Sequence, residues 1–174
     1  VIPGVSSAVA VSRTVLLAAG LPFAFGSMAY KGVLFSTSAQ PGWKDARWLG
    51  AYHVASAFAL GAVVLLGLAT VTGHATATHA LRPAAAILVA AQVVPLALLF
   101  LELKPTLAGV YTPLRLRTAV WLVLGVGVAG PVPLLLMDGV APCVLAALEA
   151  LVGGWVVREV VVTLPHRTGR SPTH

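Results

Sequence analysis

Apolar residues fall along this chain in long runs broken by short polar segments. Five runs stand out, roughly Thr14–Ser36, Trp48–Val71, Leu81–Leu103, Thr118–Met137 and Ala141–Leu164. Each is close to the ~20 residues that an α-helix needs to cross the hydrocarbon core of a bilayer. None has the two-residue alternation of a membrane barrel strand. Backbone in lipid must satisfy its own hydrogen bonds, so helix is the predicted form. The breaks support the division. Gln40-Pro41-Gly42-Trp43-Lys44-Asp45 reads as a polar turn with an interfacial Trp, and Thr72-Gly73-His74-Ala75-Thr76 is small and polar. Lys104-Pro105 is expected to close the third helix, because proline continues a helix poorly. Asp138-Gly139 makes a short turn, and Pro165–His174 reads as a polar, basic, frayed tail. The expected architecture is all-α: one integral membrane bundle of about five helices over residues 1–164, followed by the tail at 165–174.

Composition agrees with this reading. Apolar residues make up 59% of the 174, and charged residues only 9%, against ~25% in a soluble domain. A soluble globule has too much surface to cover with so few charges. A soluble enzyme, a disordered chain and a nucleic-acid module are therefore excluded, the last despite a net charge of +6. The basic residues instead report orientation. With loops alternating sides, Arg13 and Arg82 fall on one side. Lys31, Lys44, Arg47, Lys104, Arg115, Arg117, Arg158, Arg167 and Arg170 fall on the other. The positive-inside rule then predicts an outward N-terminus and a cytoplasmic C-terminus in the cell's inner (plasma) membrane. An outward N-terminus without a leader fits a segment that other helices normally precede.

Few residues offer chemistry. The single cysteine, Cys143, forms no internal disulfide and cannot hold an iron–sulfur cluster alone. No His/Cys/Asp/Glu spacing suggests zinc, and with His74, His79, His166 and His174 outside the spans, haem ligation is not expected. No metal, bound cofactor or catalytic residue is expected in this chain. Ionisable groups inside a bilayer cost roughly 2.5–3.5 kcal/mol each on insertion scales, so each one present calls for a reason. Glu149, seven to eight residues into the fifth helix, reads either as a proton-path carboxylate or as a protonated Glu bonded to a neighbouring helix. Glu102, at the end of the third helix, is a second proton-path candidate. Arg158 lies nine residues past Glu149 and so on the opposite helix face. It is a candidate structural ion pair with Glu102, or an interfacial anchor. His53, the only histidine within a span, is a candidate proton donor to a carbonyl or a hydrogen-bonded interfacial residue. Gln92 with Pro95, and Pro131 with Pro133, mark expected kinks. The many Gly and Ala residues predict close helix packing.

Four segments resemble one family. Tyr30-Lys31-Gly32-Val33-Leu34-Phe35-Ser36 followed by Pro41-Gly42-Trp43 is similar to the "Y-T-G-hydrophobic-Leu-Leu-Ser … P-x-W" stretch of NrfD/PsrC proteins. These are the membrane subunits of polysulfide reductase-type and formate-dependent nitrite reductase-type complexes. Ala55–Ala62 resembles the family's "Ser-Ala-x-x-x-Gly-Ala" helix. Trp121–Val126 with Gly130-Pro131-Val132-Pro133-Leu134 resembles its penultimate helix. Leu151–Val162 resembles its last, "Gly-Gly-x-x-x-Arg-aromatic-x-x-Val". Lys31 stands where Thr is usual and Glu159 where an aromatic is common. The family has eight or more helices, and the resemblance is to its C-terminal five. What the resemblance implies is a membrane anchor and quinone/quinol-interacting subunit of a respiratory oxidoreductase, without catalysis of its own. It would pass electrons between the quinone pool and a ferredoxin-like iron–sulfur partner, with a further catalytic subunit. His53 would then contact quinone, and Glu149 and Glu102 would move protons. The alternatives are a non-redox structural or assembly subunit and, lacking an internal repeat, a small transporter.

Overall fold

A computed structural model describes residues 3–36, 43 and 46–168. Pro41, Gly42, Lys44 and the tail from residue 169, which enter the resemblance and the charge asymmetry above, lie outside the described residues, as do the side chains of Lys31 and Arg167. The protein is 90% helical, and among the described residues there is no strand. Among the described residues five stretches are long and apolar enough to cross a membrane: Val9–Ser27, Leu49–Val71, Ala75–Val110, Pro113–Leu136 and Val140–Leu164.

These stretches belong to seven α-helices and one π-helical segment: α1 Pro3–Ser36, α2 Leu49–Val71, α3 Ala75–Ala91, α4 Val93–Val110, α5 Pro113–Trp121, the π segment Leu122–Ala129, α6 Pro131–Leu136 and α7 Val140–Thr168. The third crossing breaks at Gln92, between α3 and α4, because Pro95 has no N–H for the Ala91 carbonyl. Pro105, by contrast, does not end its helix. α4 runs on to Val110 with the proline inside it, so the stop expected at Lys104-Pro105 is displaced by two turns. The carbonyl that Pro105 leaves unbonded belongs to Leu101, on an exposed face of α4. α7 likewise continues to Thr168, into the expected frayed tail.

Two glycines make the turns at one end of the bundle. Gly73 (φ +73°) reverses the chain between α2 and α3, and Gly139 (φ +113°) between α6 and α7. Both conformations exclude most side chains. At the same end Arg82 of α3 bonds the Met137 carbonyl at 2.7 Å and pairs with Asp138. It fastens the second turn to the start of the third crossing.

The core has two parts. Near the turns, Val63 and Leu66 of α2 meet Val89 of α3, Leu135 of α6 and Cys143 and Ala146 of α7. Near the opposite end, Leu49 and Tyr52 meet Leu99 and Leu103 of α4 and Val161 and Leu164 of α7. α7 runs antiparallel to the π segment and touches it closely. A Cβ built on Gly127 would lie 2.7 Å from the Cα of Gly153, so backbone meets backbone, as small residues permit between membrane helices. None of Val9–Ser27 in α1 is buried. That helix packs chiefly along α2, with Phe25 and Phe58 rings 6.3 Å apart.

Candidate functional site

The unusual backbone of the fourth crossing comes from its sequence, Gly125-Val126-Gly127-Val128-Ala129-Gly130-Pro131-Val132-Pro133. A proline ring collides with the carbonyl four residues earlier and supplies no N–H. Widening the helix to bonds five residues apart relieves the collision, and glycines tolerate the widening. The switch is explicit at Gly130, whose N–H bonds Gly125 O at 2.7 Å instead of Val126 O. Pro131 is the next possible donor to Val126 and has no N–H. The Val126 carbonyl is therefore left without its four- or five-residue helical donor, and Pro133 removes the four-residue donor of Ala129. Such wide turns often sit at functional sites.

Glu149 of α7 faces this segment. Its carboxylate packs directly on Gly130, where any side chain would strike Oε2, and a Cβ there would also lie 3.3 Å from Gly125 O. The residue is half-buried, but Oε2 is fully enclosed and has no hydrogen-bond partner among the described residues. A buried, unpartnered carboxylate oxygen thus packs on the widened turn, a position costly unless the oxygen gains a partner.

The other ionisable candidates lie at the far end. Leu60 packs on Gly154, which fixes the antiparallel register of α2 and α7 and puts Glu149 level with about residue 65. At 1.5 Å per residue, His53 is then ~18 Å away along the helix axis, and Glu102, level with Trp48, is ~25 Å away. The structure does not bring His53, Glu102 and Glu149 together. Glu102 accepts a hydrogen bond from the Trp48 N–H at 3.2 Å and faces Arg47 Nε at 3.8 Å. The expected Arg158–Glu102 ion pair is not formed. Arg158 is exposed, within electrostatic reach of the Tyr52 hydroxyl. The chain entering α2 reaches Glu102 first, and α7 presents Arg158 to a different neighbour. His53 is half-buried beside Tyr52, with ring centroids 5.9 Å apart. At this same end Trp43 Nε1 donates to Val161 O at 2.8 Å, and Tyr111 and Thr163 share a hydrogen bond of 2.9 Å.

An apolar cavity of about 350 Å³ lies between α4, α5, the π segment and α7, lined by residues such as Leu96, Phe100, Ala119, Val123, Val157 and Val160. That is at the small end of the ~300–1,000 Å³ of ligand pockets. His53 and Glu149 do not line it. The hydrogen-bonded Tyr111–Thr163 pair is joined to the lining through Tyr111 Oη and Val160 O at 3.4 Å. The sequence reading missed this slot and the contact of Gly130 with Glu149. The run of Gly125, Gly127, Gly130, Pro131 and Pro133 was the available signal for the second.

Among the described residues no group of three or more His, Cys, Asp or Glu could hold a metal. No family model matches the chain, and no curated protein or solved structure matches it.

Proposed function

We propose that this multi-pass membrane protein is the anchor and quinone/quinol-interacting subunit of a respiratory oxidoreductase of NrfD/PsrC type, oriented with its basic end in the cytoplasm. In this reading it hands electrons between quinol and an iron–sulfur partner, which connects to a catalytic subunit. The observation that carries the reading is the apolar slot between α4, α5, the π segment and α7, a shape and lining suited to a flat ring with a hydrocarbon tail. The resemblance of four ordered segments supports it. The Tyr111–Thr163 hydroxyls, one hydrogen bond from the lining residue Val160, are a better candidate than His53 to meet a quinone carbonyl, because His53 stands on α2, off the slot.

The test is titration of purified protein with a fluorescent quinol analogue whose emission is quenched on binding. Saturable binding is expected, weakened about tenfold or more by Ala119→Phe, which fills the slot, a loss of ~1.4 kcal/mol. Binding that ignores Ala119→Phe refutes the assignment. Absence of binding favours the second reading, a non-redox structural or assembly subunit. That reading draws on the wholly apolar slot lining and on the unburied α1 face from Val9 to Ser27.

A further inference from the structure

Three features of the fourth and fifth crossings lie within one turn of Gly130. The Val126 carbonyl has lost its helical donors to the widened turn and to Pro131. Glu149 Oε2 is enclosed without a hydrogen-bond partner among the described residues. Gly130 has no side chain, and the Glu149 carboxylate fills the place one would take. Carbonyls along a helix point toward the N–H groups four and five residues ahead, so those of Gly125 and Val126 run toward the backbone at Gly130 and Pro131, the turn on which the carboxylate packs. The Glu149 carboxylate and the Gly125 carbonyl oxygen, 3.3 Å from a Cβ built on Gly130, therefore border the place a Gly130 side chain would take, and Glu149 Oε2 finds no donor there among the described residues. A small positive charge, as a proton or a coordinated ion, stabilises two acceptors so placed.

We propose that Glu149 and the carbonyls of the π segment form a binding site for a monovalent cation, H⁺ or Na⁺, inside the bilayer. Interrupted membrane helices coordinate Na⁺ or H⁺ with freed backbone carbonyls, and an intramembrane carboxylate points to such a site by default. A proton on the carboxylate supplies the missing O–H donor. A sodium ion supplies the same charge by coordination. The surroundings leave Glu149 alone in this role. Residues 118–136 carry no titratable side chain, and α2 carries only Tyr52 and His53, toward its other end. On α7 itself the nearest titratable or charged groups are Cys143 and Arg158. The site does not depend on the quinone reading: it stands or falls on cation occupancy alone.

The experiment uses the full chain reconstituted in phosphatidylcholine vesicles and treated with dicyclohexylcarbodiimide, followed by mass spectrometry of the peptide that holds Glu149. The carboxylic acid adds across one C=N bond, its oxygen to carbon and its proton to nitrogen, so only the protonated form reacts. Labelling of Glu149 is expected, falling with rising pH toward tenfold per unit. If Na⁺ also binds, sodium chloride slows labelling several-fold relative to choline chloride at one pH. If H⁺ alone binds, the two salts are equal. Pro131→Ala returns an N–H to the Val126 carbonyl and is expected to shift the pH midpoint of labelling or to weaken the sodium effect, with helical circular dichroism retained. Pro133→Ala serves as a second backbone variant. The proposal is overturned if Glu149 is unlabelled at every pH, if its labelling ignores both pH and sodium, or if both proline variants label as the wild type does.

Discussion

Substituting Gly127 by alanine tests the helix contact that holds Glu149 against the widened turn. The new methyl carbon would lie 2.7 Å from the Cα of Gly153, with the carbonyl carbon and nitrogen of that residue at 3.6 and 3.7 Å. Ordinary contact begins at 3.4 Å, so α7 and the π segment must separate by about 0.7 Å. The obstacle is backbone, and no rotamer change relieves it. Overpacking of this kind costs ~1–3 kcal/mol. Alanine in place of glycine returns ~0.5–1 kcal/mol of helix preference. Gly67→Ala on α2 provides the reference, because nothing lies within 4 Å of its Cβ position. It gains the preference without the clash. The difference between the two variants isolates the overpacking, and it amounts to a gap in melting temperature on the order of 5 °C for a chain of this size. Thermal unfolding in detergent micelles, followed by circular dichroism, measures it. If Gly127→Ala melts with or above Gly67→Ala, the close approach of these two crossings is refuted, and with it the placement of Glu149.

Other expectations follow from the turns and the ion pairs. Gly73→Ala forces a side chain into a left-handed backbone and should destabilise by about 1 kcal/mol, read in the same melts against Gly67→Ala. Asp138→Asn removes the fully exposed partner of Arg82 and should leave the melt almost unchanged. Arg82→Ala also strands the Met137 carbonyl and should cost more, with equal melts for the two variants counting against the fastening role of Arg82. Cys143 is fully buried and should resist a water-soluble maleimide until the protein is unfolded, as mass spectrometry would show. With Cys143 replaced by alanine, single cysteines at Gly73 and Arg117 should label from opposite sides of sealed vesicles; labelling from one side would break the arrangement of crossings.

The membrane crossings were legible in the sequence because lipid imposes one requirement on every residue of a span, and long apolar runs meet it visibly. The start of α2 and its end at Val71 follow the expected run to within a residue. Proline positions were legible as disturbances but not in kind. Pro95 breaks the crossing at Gln92, Pro105 leaves α4 continuous, and Pro131 with Pro133 accompanies an eight-residue π segment. Which outcome occurs depends on where the displaced carbonyl points and which N–H is diverted, as that of Gly130 is. Neither is written in hydropathy. Glu149 was legible as an anomaly by its charge alone. Its neighbour Gly130 was not, since that contact depends on the rotation of α7 against the fourth crossing. Of the two readings of Arg158, the pairing with Glu102 is not formed, and the residue is exposed as an interfacial anchor would be. Helix periodicity separated it correctly from Glu149 but said nothing of Arg47, which reaches Glu102 through the residues entering α2.

The isolation of α1 has a mechanical consequence. From Val9 to Ser27 no residue is buried, and the long helix leans chiefly on a single neighbour. The other crossings interlock through two shared cores, so they must come apart cooperatively, whereas α1 can peel away without opening either one. Pulled from its N-terminus in a bilayer, the chain should yield in two events of unequal force, the weak one releasing α1 and the strong one dismantling the rest.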